Sequence, residues 1–98
     1  MEHLYTFILM VRDENGAEVP HSVYERRYAD VLLIPVPGME LCDVVGKNMS
    51  RRIERVRINL LTGQQLYQVN LEPEYVSSHE EAEQRSKALT LTGWRMFP

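Results

Sequence analysis

Ile53-Glu54-Arg55-Val56-Arg57-Ile58-Asn59-Leu60 and Gln65-Leu66-Tyr67-Gln68-Val69-Asn70-Leu71 decide the fold class, because they read as two strands of one hairpin within the stretch Arg51 to Pro73. Val56, Ile58 and Leu60 share one parity and Arg55, Arg57 and Asn59 the other, the period-two pattern of a strand with one buried and one wet face. On the return strand Tyr67, Val69 and Leu71 alternate with Gln68 and Asn70. The join Leu61-Thr62-Gly63-Gln64 supplies a glycine where a hairpin loop often needs positive φ.

Working outward, His3 to Val11 is rich in aromatic and β-branched residues and apolar on both parities, so it is expected as a central strand covered on both faces. Asn15-Gly16 predicts a turn, and a hairpin into Ala17-Glu18-Val19. Pro20 limits further pairing to an edge. From Pro20 to Asp30, Ser22-Val23-Tyr24-Glu25 has the form of a capping box, and Tyr24, Tyr28 and Val31 fall at helical spacing, which favours a turn or short helix over a strand. Val31-Leu32-Leu33-Ile34 is a continuous apolar run bounded by Pro35 and suits a buried strand. Pro35-Val36-Pro37-Gly38 forces a change of direction. Met39 to Gly46 holds a short strand, and Gly46 to Ser50 leads into the central hairpin.

Past Pro73 the pattern changes to that of a helix. Ser78-His79-Glu80-Glu81 is a second capping box, good helix formers follow to Leu91, and Gly93 stands just past the end. Acidic residues early and Arg85 and Lys87 later suit the macrodipole. Ala82, Ser86, Leu89 and Trp94 form the apolar stripe, which must lie on the sheet because so short a helix is marginal alone. The expected architecture is one α+β domain over residues 1–98. It has a strongly curved, mostly antiparallel sheet or small β-barrel of about five strands, with one C-terminal helix and no βαβ unit.

Composition bounds the function. A chain of 98 residues with 44% hydrophobic and 26% charged residues has the make-up of an ordinary globular domain with one core. Fourteen acidic against eleven basic residues leave a net charge of -3, so no global attraction draws the chain to nucleic acid or anionic lipid. Cys42 is the only cysteine, which excludes an intramolecular disulfide and a cysteine-based zinc site within one chain. The apolar runs are shorter than the roughly 20 residues of a membrane helix, and no basic region precedes an apolar one at the amino terminus. A cytoplasmic protein with no membrane association is expected.

No motif fixes a chemistry. The reading that fits the residues best is a non-catalytic binding or regulatory module contacting another protein or a second copy. Trp94, Met96 and Phe97 are its candidate interface, since aromatic residues and methionine are enriched in interface cores. The first alternative is single-stranded nucleic-acid binding by Arg51, Arg55 and Arg57, which share a strand parity and form a basic ridge. The second is a small enzyme using Cys42 and Asp43, which needs a neighbouring base or cation. His3, His21 and His79 are scattered, without ligand spacing among themselves, so no metal and no cofactor is expected.

Overall fold

The computed structural model describes residues 2–58 and 66–97. Its elements are β1 (Glu2–Arg12), β2 (Glu18–Tyr28), β3 (Glu40–Cys42), β4 (Ser50–Ile58), β5 (Leu66–Leu71), β6 (Glu74–Val76), α1 (His79–Leu91) and β7 (Arg95–Phe97). The strands form one seven-stranded sheet in the order β3-β4-β5-β1-β2-β7, with β6 also paired to β1. The expected join at Leu61-Thr62-Gly63-Gln64, with Asn59, Leu60 and Gln65, lies outside the described residues.

β1 is central, as its composition predicts, but it is covered on one face only. His3, Tyr5, Phe7 and Leu9 are buried, whereas Leu4, Thr6 and Met10 are half-buried and Ile8 is exposed. β1 runs antiparallel to β2 and parallel to both β5 and β6. The four β1 residues from Thr6 to Leu9 face five from Asn70 to Glu74. Pro73, which has no N–H to give a ladder, sits in that slip.

The β1–β2 hairpin turns where Asn15-Gly16 predicts. Asp13 Oδ1 accepts from the backbone N–H groups of Asn15 and Ala17, and Gly16 takes φ +81°, the left-handed conformation that lacks a steric cost without Cβ. β2 then continues as a strand through residues 20–28, correcting the expected turn or short helix: the partner strand, not local helical spacing, fixes the backbone. Pro20 is tolerated because β7 pairs only with Val23 to Glu25, leaving β2 a free edge beside the proline.

A second correction concerns closure. The order leaves β3 and β7 as two free edges among the described residues, so the sheet is open and the small barrel is not formed. The class is α+β, with seven strands among the described residues rather than about five. β6 and β7 both run parallel to β1, through the pairings of β1 with β6, β1 with β2 and β2 with β7. Thus β6-α1-β7 is a β-α-β crossover, contrary to the expectation of none.

α1 occupies the span its signals predict. Ser78 is the N-cap and its side chain accepts from the Glu81 N–H at 3.1 Å, while the Glu81 carboxylate reaches back to Ser77 instead of Ser78, accepting from its N–H and hydroxyl. Those hydrogen bonds, the hydroxyl's first, hold the Glu81 carboxyl below the ordinary range. Ala82, Ser86 and Leu89 face the sheet as expected. Ala82 and Leu89 join Phe7, Leu9, Tyr24, Val45, Ile53 and Trp94 in the core, where each large apolar side chain contributes about 1.5 to 3 kcal/mol, and Ser86 shares a hydrogen bond with the Tyr24 hydroxyl. Among the described residues no helix is long and apolar enough to cross a membrane.

Candidate functional site

Residues 29–39 leave β2 and reach β3 at the far edge of the sheet without forming a strand. The apolar run expected as a buried strand is therefore displayed: Leu32 is 97% exposed, Leu33 39%, Ile34 69% and Val36 50%. Pro35 alone is buried in their midst. Downstream the segment is fastened to β4, with Gly38 N–H donating to Ile53 C=O at 2.7 Å and Ile53 N–H to Met39 C=O at 2.8 Å. Two prolines remove the donors a strand partner would need, and Asp30 at φ +55° turns the chain off the β2 line at its start. The result is an anchored loop with aliphatic side chains in solvent, and the sequence signal for it is Pro35-x-Pro37 directly after the run.

The arginines predicted as one ridge are divided between the two faces. The β4 register slips between Ile53 and Arg55, with Ile53 opposite Leu71 and Arg55 opposite Asn70. This bulge at Glu54 reverses parity. Arg55 and Arg57 are exposed beside Asn70 and Gln68, whereas Arg51 shares the buried side with Ile53. There its guanidinium meets the Glu74 carboxylate, which Arg85 also holds, and Arg85 donates to Val45 C=O at 2.7 Å. Glu74 is 6% exposed, and two guanidiniums around it satisfy a charge that would be costly alone.

The carboxy-terminal candidates also separate. Trp94 is buried, edge-on to Phe7 with ring centroids 5.0 Å apart, and its Nε1–H donates to Val44 C=O at 3.1 Å. Met96 and Phe97 stay half-exposed on β7, beside Arg95, which pairs with Glu25. A short edge strand carrying a charge is a poor template for further pairing.

Cys42 is exposed and lines an open cleft of about 280 Å³ with Asp43, Tyr5, Tyr28 and Val31. Asp43, at φ +59°, accepts from the Asn48 N–H, so its carboxylate serves the turn. No imidazole, lysine or arginine is among the cleft's lining residues, and a thiol needs such a neighbour to be activated. Burial raises the Tyr5 hydroxyl above its ordinary value, with Tyr28 adding to it.

The histidines, expected to be scattered, are partly brought together. His3 stands apart in the core, its Nδ1 2.9 Å from the Tyr5 hydroxyl and its pKa lowered by burial. His21 and His79 have ring centroids 5.0 Å apart, and Glu83 Oε1 lies 3.1 Å from His21 Nε2 and 3.7 Å from His79 Nε2. Comparing histidines only with one another hides this group; the signal is His79-x-x-x-Glu83, one helical turn with both side chains on one face. No family model, no curated protein and no solved structure matches the chain.

Proposed function

We propose that the chain is a non-catalytic binding module whose anchored loop, Val31 to Val36, docks into an apolar groove on another protein. The observation that supports the reading is the exposure of Leu32, Leu33, Ile34 and Val36 on a segment fastened downstream by backbone hydrogen bonds. Contiguous exposed apolar patches on soluble domains mark interaction sites, and prolines hold such a segment extended, which lowers the entropy lost on docking. Four displayed side chains are few beside the roughly 20 to 30 residues each partner brings to a standard interface. A short motif entering a partner's groove therefore fits better than a stable pair of identical chains. Between Arg27 and Lys47 there is no basic residue, while Asp30, Glu40 and Asp43 are acidic, so the loop lacks the cationic collar that draws a segment to anionic lipid.

The test places a photo-crosslinking residue at 32, at 34 and, as a control, at the exposed Lys87 of the full chain. The expected result is one protein partner captured from 32 and 34 but not from 87. A synthetic peptide of residues 30–38 should compete, and Leu32→Ser with Ile34→Ser should abolish capture by a further label at 33. Capture of a second copy, capture of lipid, or equal yields from all positions overturns the reading.

A second reading places single-stranded nucleic acid on the open sheet face, where Arg55 and Arg57 remain exposed beside Gln68 and Asn70. With Arg51 turned inward, two phosphate contacts give a slope of about -1.4 for log K against log salt. Fluorescence anisotropy with labelled single strands decides it: no binding at tens of micromolar, or equal binding by Arg55→Gln/Arg57→Gln, excludes this surface.

A further inference from the structure

We infer that His21, His79 and Glu83 form a binding site for a divalent transition ion, zinc by chemical class, that ties β2 to the first turns of α1. Their nitrogen and oxygen ligand atoms all lie within 4.8 Å of one another. Two imidazoles and one carboxylate are the donor set of a three-ligand zinc site with an open fourth position. Imidazole donors select against magnesium and calcium, which prefer all-oxygen shells.

The local fold positions the site. His21 is the extra residue of the β2 bulge: Leu9 pairs with Ser22 and Met10 with Pro20, so no β1 residue stands opposite it. Its side chain is 10% exposed, and its Nδ1 is 2.9 Å from Ser22 Oγ. Without an ion, Nε2–H donates to the Glu83 carboxylate; with the ion bound, Nδ1–H would donate to the Ser22 hydroxyl and turn the Nε2 lone pair to the metal, the outer bond that fixes a metal-binding tautomer. His79 and Glu83 lie four residues apart on α1, which puts them on the same face. Both are largely exposed, at 79% and 57%, so their side chains have room to close from the present separations to the roughly 2.0 to 2.2 Å of zinc bonds. A cation beside a helix N-terminus opposes the macrodipole, and the first-turn carboxylates of Glu80 and Glu81 offset it.

A plain surface contact between histidine and glutamate would need neither the bulge nor the second imidazole. The site instead joins residues 58 or more positions apart in sequence, so an ion there would brace α1 against β2 and leave one coordination position open to solvent or to a partner's donor.

The experiment titrates untagged full-length protein, as Cys42→Ser to remove the exposed thiol, with zinc by calorimetry and with cobalt by visible absorption. Proton-detected imidazole signals are followed in parallel. Expected are one ion per chain, cobalt bands of tetrahedral intensity, perturbation of the His21 and His79 signals with His3 unmoved, and zinc-dependent thermal stabilisation. His79→Gln and Glu83→Gln, both at exposed positions, should keep the fold and weaken binding at least tenfold; His21→Gln should abolish it. Binding unchanged in His79→Gln, a stoichiometry below one, or perturbation of all three histidines alike overturns the site.

Discussion

Two apolar runs of similar composition end in opposite surroundings. Phe7 to Val11 passes through the middle of the sheet, with Phe7 and Leu9 at 2% and 0% exposure, while Leu32, Leu33, Ile34 and Val36 of the later run stand in solvent, with Leu32 at 97%. Hydrophobicity does not separate them; backbone pairing does. β1 finds β2 on one side and β5 and β6 on the other, so its amides are satisfied and Phe7 and Leu9 are held in the core with Ala82 and Leu89 of α1. The later run turns off the β2 line at Asp30, meets two prolines within the next seven residues and finds no strand partner among the described residues. An apolar segment enters a core only when its peptide groups can be satisfied there too.

The contrast breaks most readily by truncation. Phe7→Ala should lower unfolding free energy by about 4 kcal/mol, whereas Leu32→Ser should stay within roughly 0.5 kcal/mol of the native chain. Urea midpoints measure both, and a Leu32→Ser cost close to that of Phe7→Ala would show the loop to be buried in solution. A smaller effect is expected where β6 flanks β1. Glu74, opposite Leu9, holds Arg51 and Arg85, so Glu74→Gln should cost about 3 kcal/mol by leaving two half-buried guanidiniums without their counter-charge. A loss below about 1 kcal/mol in the same assay would mean that water already screens the cluster.

The smallest change is one of pH. Burial lowers the pKa of His3 below the ordinary 6.5, so as pH falls through 6.5 the unfolded chain takes up a proton before the folded one does. Stability from the neutral imidazole is thus full above 6.5 and is lost as pH falls toward the folded-state value. His3→Phe should flatten the decline between roughly pH 7.5 and 5.5. Equal slopes in native and variant chains would show that His3 does not carry the effect.

Much of the fold is legible because its signals are local. The central strand, the Asn15-Gly16 turn, the Ser78 cap and the buried stripe Ala82, Ser86 and Leu89 each follow from neighbours a few residues away. What escapes depends on distant partners. β2 reads as helical until β1 lies beside it, and the parallel pairing of β1 with β5 and β6 joins residues some sixty positions apart. The candidate sites suffer more. Periodicity assigns Arg51 to the ridge because the Glu54 bulge leaves no mark in composition. The approach of His21 to His79 needs the β2 bulge and the crossover of α1 at once.

The Glu54 bulge has a consequence of its own. β4 is in effect two short strands half a period out of phase, and residue 54 is the phase shift. Deleting that one residue would restore unbroken alternation through the strand with both halves on their present faces. If instead residue 54 were drawn into the ladder while the carboxy-terminal half kept its pairing with β5, Arg51 and Ile53 would swing to the open face and Arg52 would turn inward. The ion cluster at Glu74 and the core at Ile53 would be lost together through the flattening of a bulge whose residue belongs to neither. Loss of residue 54 should therefore be tolerated where loss of residue 52, which would turn Arg51 outward, is not, a constraint on how this chain can vary that no substitution at Glu54 would reveal.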